Sequence, residues 1–128
     1  MRTITGKIYI HPIPASRPRV VKKRAYTEPK YSTYKIALTY LLKNERIPKQ
    51  DYESIKVVFA IPYSKGIAKK RKIQGKAHRQ KPDIDNFIKG FMDALEQSGI
   101  IQNDSQICNV HAFKLFDCQQ GYIEFELK

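Results

Sequence analysis

The residues best suited to chemistry lie in Lys81–Gln106, KPDIDNFIKGFMDALEQSGIIQNDSQ. Asp83 and Asp85 stand one residue apart at the start of a helical pattern, Lys89 follows one turn later, and Asp104 sits in a polar turn beyond the helix. Magnesium is a hard ion that takes carboxylate oxygens, keeps several waters and completes its shell with phosphate oxygens. Asp83, Asp85 and Asp104 are candidate ligands for Mg²⁺, with Mn²⁺ as the alternative ion. Such an ion activates water and offsets charge on a phosphoryl group, so the implied chemistry is phosphodiester hydrolysis. Lys89 is placed to stabilise the charged phosphorus centre or to orient the attacking water.

Each residue also has a plain structural reading. Asp83 can be a helix N-cap, Asp85 with Lys89 an i,i+4 ion pair, and Asp104 an ordinary turn residue. Asp93 reads as a solvated or structural residue. His11, His78 and His111 share no spacing that suggests a triad or a metal centre. Cys108 and Cys118 lie outside any CxxC pattern, which argues against zinc and for reduced thiols.

The elements that must position these acids are legible in the hydrophobic periodicity. Ile84, Phe87, Ile88, Phe91, Met92 and Leu95 fall at i, i+3, i+4, i+7, i+8 and i+11, a core-facing stripe over a helix from Ile84 to Gln97. Gly90 inside it signals close packing, and Gly99 marks its stop. An earlier helix over Tyr31–Arg46 carries Tyr34, Ala37, Leu38, Leu41 and Leu42 on one face. Thr3–Ile10 and Ser54–Pro62 read as strands, the second buried. Ile107–Phe116 and Gly121–Leu127 read as two closing strands joined as a hairpin. The order β-α-β-loop-α-β-β predicts one α+β domain over residues 1–128, with a mixed sheet and both helices on one face.

Charge separates along the chain. Residues 1–82 hold 21 Lys/Arg against four acids, and residues 83–128 hold three against eight. With a formal net charge of +12, a basic surface beside an acidic pocket fits a polyanionic partner such as nucleic acid. The proline-broken segment from Pro12 to Lys30 and the run Ser64–Pro82 concentrate this charge; the latter, with eight Lys/Arg and no acid, reads as a flexible loop with a short structured piece near Gly75. No segment offers the roughly 20 apolar residues of a membrane span, and the N-terminus lacks the apolar run of a signal peptide, so a cytoplasmic location is expected.

These residues resemble the signature of the RusA family of Holliday-junction resolvases. The matching pattern is D-x-D-N at a helix start (Asp83, Asp85, Asn86), a lysine four residues on (Lys89), D-A-L (Asp93-Ala94-Leu95), then an acidic pair followed by small-Gln, here Asn103-Asp104-Ser105-Gln106. The early PIPASRPR, with Ser16, Arg17 and Arg19, resembles the family's proline–serine–arginine loop, and Lys114 matches a lysine of the pattern. The resemblance implies a homodimeric, Mg²⁺-dependent endodeoxyribonuclease that resolves four-way junction DNA by paired symmetric nicks in recombination and repair, plausible in a prophage setting. It implies Asp83, Asp85 and Asp104 as metal-binding catalytic carboxylates and Lys89 as a catalytic lysine. Candidate DNA contacts are Ser16, Arg17, Arg19 and Lys114, to which the basic run adds Lys69, Lys70, Arg71, Lys72 and Arg79. Tyr26, Tyr31 and Phe87 are candidates for base stacking, Phe87 being better explained by the core stripe. Two departures stand out: Asn103 replaces the first acid of the pair, and Ser64–Pro82 is longer than a short basic linker. The competing readings are a metal nuclease for other branched or single-stranded DNA, and a non-catalytic nucleic-acid-binding module.

Overall fold

A computed structural model describes residues 2–16, 19–21, 24–26 and 29–128, with only the backbone of 19–21 and 24–26. In chain order the elements are β1 (Ile4–Ile8), β2 (Arg19–Val21), β3 (Arg24–Tyr26), α1 (Pro29–Asn44), β4 (Ser54–Pro62), α2 (Ile84–Gln97), β5 (Asn109–Asp117) and β6 (Tyr122–Leu127). Two three-residue 3-10 turns, Lys69–Arg71 and Asp104–Gln106, flank α2 in sequence. β2 and β3 form a small antiparallel ladder within the basic segment that precedes α1, a pairing the sequence reading left out.

The main sheet has the order β1-β6-β4-β5. β6 runs antiparallel to both β1 and β4, whereas β5 runs parallel to β4 with Ser54 opposite Asn109 and Pro62 opposite Asp117. The sheet is therefore mixed, as expected, but the closing hairpin is not there: β4 lies between β5 and β6. The composition of β4 explains this. SIKVVFAIP buries five of its nine residues and takes the central place, while β5 buries two of nine, is exposed over Asn109–His111 and takes an edge. Residues 118–121 span the two strand spacings, about 9.5 Å, that separate β5 from β6. A parallel pair needs a long crossover, and α2 supplies it.

Both helices cover one face of the sheet. Phe87, Phe91, Ala94 and Leu95 of α2 are buried against Val57, Phe59, Ile123 and Phe125. Phe59 packs on Phe87 at 5.5 Å between ring centroids and on Phe91 edge-on at 6.3 Å; Phe91 meets Phe125 at 5.6 Å. Each such ring contributes roughly 1.5–3 kcal/mol by burial. α1 buries Tyr31, Tyr34, Leu38 and Leu42 and half-buries Leu41, so the face read in sequence is the core face except for Ala37, which is exposed, and Tyr31, which joins it. Gly90 lets α1 pack closely on α2: a Cβ there would lie 3.3 Å from the Tyr31 ring. α2 ends in a Schellman arrangement, with Gly99 at φ +82°, its amide donating to the Glu96 carbonyl and the Ile100 amide to that of Leu95.

Ser64–Pro82 is held more firmly than its composition suggests. Tyr63 Oη donates to the Ile73 carbonyl and accepts from the Ile73 amide. The Gly75 and His78 amides donate to the Phe116 and Lys114 carbonyls, and the Phe116 amide to that of Lys76. This stretch thereby covers the outer edge of β5, which would otherwise present unpaired backbone groups. Asp117 ties the end together, accepting from Gln74 Nε2 and from the Gln119 and Gln120 amides. Burial alone would raise its carboxyl, yet these donors hold it below the ordinary aspartate range.

No helix among the described residues is long and apolar enough to cross a membrane. Cys108 and Cys118 are free thiols.

Gly121 is packed so tightly that a Cβ would sit 2.8 Å from His11 Cα and 3.0 Å from the Ile10 carbonyl oxygen. Backbone cannot retreat as a side chain can, so Gly121→Ala is expected to lose about 1–3 kcal/mol of stability. Urea unfolding should show a lower midpoint with an unchanged slope.

Candidate active site

The acid-bearing end of α2 is placed by three independent anchors. The aromatic packing fixes the helix body. Lys114 fixes its entrance: its side chain lies on the helix-covered side of β5, opposite Phe59 in register, and its ammonium donates to the carbonyls of Gln80 and Pro82, both at 2.6 Å. The PIPAS segment fixes the first turn, where the Ala15 amide donates to the Asn86 carbonyl at 2.9 Å. This last contact carries Ser16 to the start of α2, and its buried Oγ has no hydrogen-bond partner among the described residues.

Asp83 occupies the N-cap position, as the sequence suggests, but its side chain makes no capping hydrogen bond. It stays largely exposed, 3.7 Å from Lys81 Nζ. Asp85, in the first turn, is exposed and makes no hydrogen bond or ion pair among the described residues. The expected Asp85–Lys89 pair is therefore not the one formed. Lys89 instead reaches forward, 3.0 Å from Asp93 Oδ1 and 3.8 Å from Asp104 Oδ2. The preference has an electrostatic cause: Asp93 and Asp104 together present more negative charge to the ammonium than the exposed Asp85 alone.

Asp104 opens a 3-10 turn that is fastened on both sides. Asn103 Oδ1 accepts from the Ser105 amide, and Gln106 Oε1 accepts from the Gln102 amide. Gln106 Nε2 donates to the Tyr52 carbonyl beside β4. Asn103, the departure from the acidic pair, thus serves as the cap of this turn, a task its amide oxygen performs as an aspartate would.

Asp93 matters more than its sequence position indicated. It is only 22% exposed and accepts from Tyr31 Oη at 2.8 Å with Oδ2 while Oδ1 faces Lys89. The chain Tyr31–Asp93–Lys89–Asp104 links α1, α2 and the turn. Hydrogen bonding to Asp93 and its charge raise Lys89 above the usual lysine range; partial desolvation opposes this, and Asp104 and Glu96 reinforce it. Burial, then the bond to Asp93, raises the Tyr31 hydroxyl, which stays a donor. The i,i+4 spacing of Lys89 and Asp93 was the available signal; the tyrosine partner comes from a helix 62 positions away and had none.

Among the described residues no three His, Cys, Asp or Glu side chains lie close enough together to share an ion. The structure brings Asp104 to α2 through Lys89, and leaves Asp83 and Asp85 at the helix entrance. The donor set still suits a hard cation. It is all carboxylate oxygen, Asp85 has no competing partner, and the lysine contacts of Asp83 and Asp104 are long and exposed.

Lys69, Lys70, Arg71 and Arg79 are exposed and Lys72 partly so, in the stretch that leads from β4 to the acids. Arg17 lies outside the described residues, as do the side chains of Arg19 and Tyr26. Tyr31 and Phe87 are core residues, 4% and 1% exposed, so neither is available for base stacking. Of the histidines, His78 is buried against Phe116 at 4.5 Å, and burial, with Lys114 nearby, lowers its pKa.

A family model described as Endodeoxyribonuclease RusA matches residues 10–128. The crossover junction endodeoxyribonuclease RusA of Aquifex aeolicus (strain VF5) is 46% identical over 37 residues, which are 29% of this chain and 29% of that protein. The chain thus spans under a third of the length of that curated relative, while the family match runs through both helices and the whole acid-bearing region. On the extent of that match, the chain belongs to the RusA endodeoxyribonuclease family.

Proposed function

We propose that the protein is a metal-dependent endodeoxyribonuclease that resolves four-way junction DNA, with Asp83, Asp85 and Asp104 as the ligands of Mg²⁺ or Mn²⁺. The observation that carries this reading is the convergence of α2 and the Asp104 turn on Lys89, in a chain matched by the RusA family model over residues 10–128. When bound, the ion supplies an activated water and offsets charge on the phosphoryl oxygens. The chain's own residues do the rest. Asp93 holds Lys89 in its ammonium form and aims it between α2 and Asp104, where it meets the charge that grows on the scissile phosphate. Lys114 acts as a positioning residue, because its ammonium is committed to the main chain just before Asp83. Ser16 stands at the first turn, and Arg17 and Arg19, which follow it in sequence, are assigned to DNA contact on the family resemblance alone. Lys69, Lys70, Arg71, Lys72 and Arg79 grip phosphates on the junction arms without reading bases.

Paired nicks need two sites. The described residues offer one acidic constellation, so two copies of the chain related by a two-fold axis match the approximate two-fold symmetry of the junction. A second reading, a non-catalytic junction-binding module, draws on the fact that the three carboxylates are not gathered into one cluster. Against it, a pure binder gains nothing from exposed acids facing a polyanion.

A nicking assay on synthetic four-way junctions separates the two. Asp85→Asn is expected to lower cleavage on the order of 10²–10³-fold. Junction binding should be kept or strengthened, since a negative charge is removed, and EDTA should stop the wild-type enzyme. Cleavage by Asp85→Asn at the wild-type rate would refute the metal assignment; equal affinity for junction and linear duplex at matched salt would refute the junction preference.

Asp93→Asn keeps an oxygen for Tyr31 but loses the charge that holds Lys89. Because the pair is partly exposed, the expected fall in kcat is moderate, roughly three- to tenfold, with KM for junction DNA and the urea midpoint little changed. An unaltered kcat would show that Lys89 needs no such support.

A further inference from the structure

Between Tyr63 and Ile73 the chain makes an excursion that, among the described residues, is hydrogen-bonded to the rest of the fold only at its ends. Ser64–Arg71 is exposed throughout. Its backbone bonds stay inside the excursion: the Ile67 amide donates to the Ser64 carbonyl, that of Arg71 to Ala68 and that of Lys72 to Lys69. The ends are fastened twice. Tyr63 Oη donates to the Ile73 carbonyl at 2.8 Å and accepts from the Ile73 amide at 2.9 Å, while its ring stacks on Phe116 at 4.3 Å, only 6° from parallel. Gln74 uses both atoms of its side-chain amide: Nε2 donates to Asp117 Oδ1 at 2.6 Å, and Oε1 accepts from the Cys118 amide at 2.8 Å. Two side chains thus close the neck of the loop Ser64–Lys72 with four hydrogen bonds.

The neck holds shut a segment whose charge works to open it. Lys65, Lys69, Lys70, Arg71 and Lys72 place five cations in SKGIAKKRK, which has no acid. Like charges along such a segment repel and extend it. None of the five forms an ion pair among the described residues. The 3-10 turn Lys69–Arg71 adds to the crowding, because positions three apart eclipse in it and Lys72 comes to lie over Lys69. Burial does not hold the loop together either, since Ile67, its one large apolar side chain, is 41% exposed. A closed loop of unpaired cations is complementary to a polyanion, which relieves the repulsion on binding and meets charges already gathered.

We propose that Tyr63 and Gln74 are positioning residues for DNA binding, which latch Ser64–Lys72 into a pre-formed arm for the phosphates of a junction strand. The anchor of the latch is the last residue of β5. Asp117 lies three residues, about 10 Å, along that strand from Lys114, which holds the entrance of α2. Arm and acids therefore hang from one strand, and DNA gripped by the arm is held at a set offset from Asp83. An unlatched arm carries the same charge but has to be ordered by the DNA, at a cost in affinity. This deepens the phosphate contacts given above for Lys69–Lys72 and rests on them, but on neither a metal nor cleavage. A single tyrosine and a single glutamine at the borders of a basic run give no sign in the sequence that they close it.

Tyr63→Phe removes both Oη bonds and keeps the ring on Phe116; Gln74→Ala removes the other two, and Asp117 keeps the Gln119 and Gln120 amides. Ile73 is exposed, so water takes over its released groups, and the urea midpoint should hold in both variants. Junction binding is measured in EDTA at matched salt. Each variant is expected to bind roughly three- to tenfold more weakly, with kcat at saturating junction in Mg²⁺ unchanged. Replacing Lys69, Lys70 and Arg71 together by alanine should weaken binding further and flatten its salt dependence, and in that background Tyr63→Phe should cost nothing more. Wild-type affinity in either latch variant overturns the proposal. So does an undiminished loss from Tyr63→Phe in the triple-alanine background, which shows that Tyr63 acts on the fold rather than on the arm. Wild-type affinity in the triple-alanine variant overturns the latch and the phosphate contacts together. The expected affinities in a protein that cuts nothing remove the nuclease reading and leave the latch standing; cutting by a protein whose latch variants bind like the wild type removes the latch alone.

Discussion

The seating of α2 on the sheet is the constraint on which everything else rests. One side of that helix is spent on Phe87, Phe91, Ala94 and Leu95, buried against Phe59 and Phe125. A helix so committed has little freedom to roll or slide, because interiors pack at crystal-like density. Its polar side is thereby fixed as well. Asp85, Lys89 and Asp93 leave the helix in directions set by the aromatic contacts behind them. Hydrophobic burial, which is non-directional, is converted into direction by the 3.6-residue period.

Electrostatics then decides what those side chains meet. A cluster of bare carboxylates repels itself, and the protein answers with lysines: Lys81 beside Asp83, Lys89 between Asp93 and Asp104. The partly buried contact is the short one, at 3.0 Å, and the exposed contacts are long, at 3.7 and 3.8 Å. Exposed pairs of that kind are worth little and exchange readily. Asp83 and Asp104 are accordingly offset by contacts that exchange readily, and Asp85 has no ion pair among the described residues.

The sequence made α2 legible almost residue by residue, since its apolar stripe, its Asp83 start and its Gly99 stop are all local signals. β4 was equally plain, being a run of buried Val, Ile and Phe. Strand partnership was not plain. Nothing in Asn109–Asp117 says that it pairs parallel with β4 rather than with the strand that follows it. That choice depends on which strand is the more deeply buried, a property of the whole sheet. The site divides in the same way. The spacing of Asp83, Asp85, Lys89 and Asp104 could be read, and so could the turn that holds Asp104. The Tyr31–Asp93 bond and the Lys114 clamp could not, because each joins elements whose contact exists only after folding.

The position of β6 bears on how the molecule assembles. It stands between β4 and β1, so Ile4 finds its partner in Leu127 and Ile8 in Ile123. Contacts of such sequence separation carry the largest loop-closure cost and form slowly. β4, α2 and β5 can gather through nearer neighbours, but β1 has no place to dock until β6 is laid down beside β4. The first strand of the fold is thus among the last to be secured, and until then β6 keeps an open edge on which a second, unfinished molecule could add.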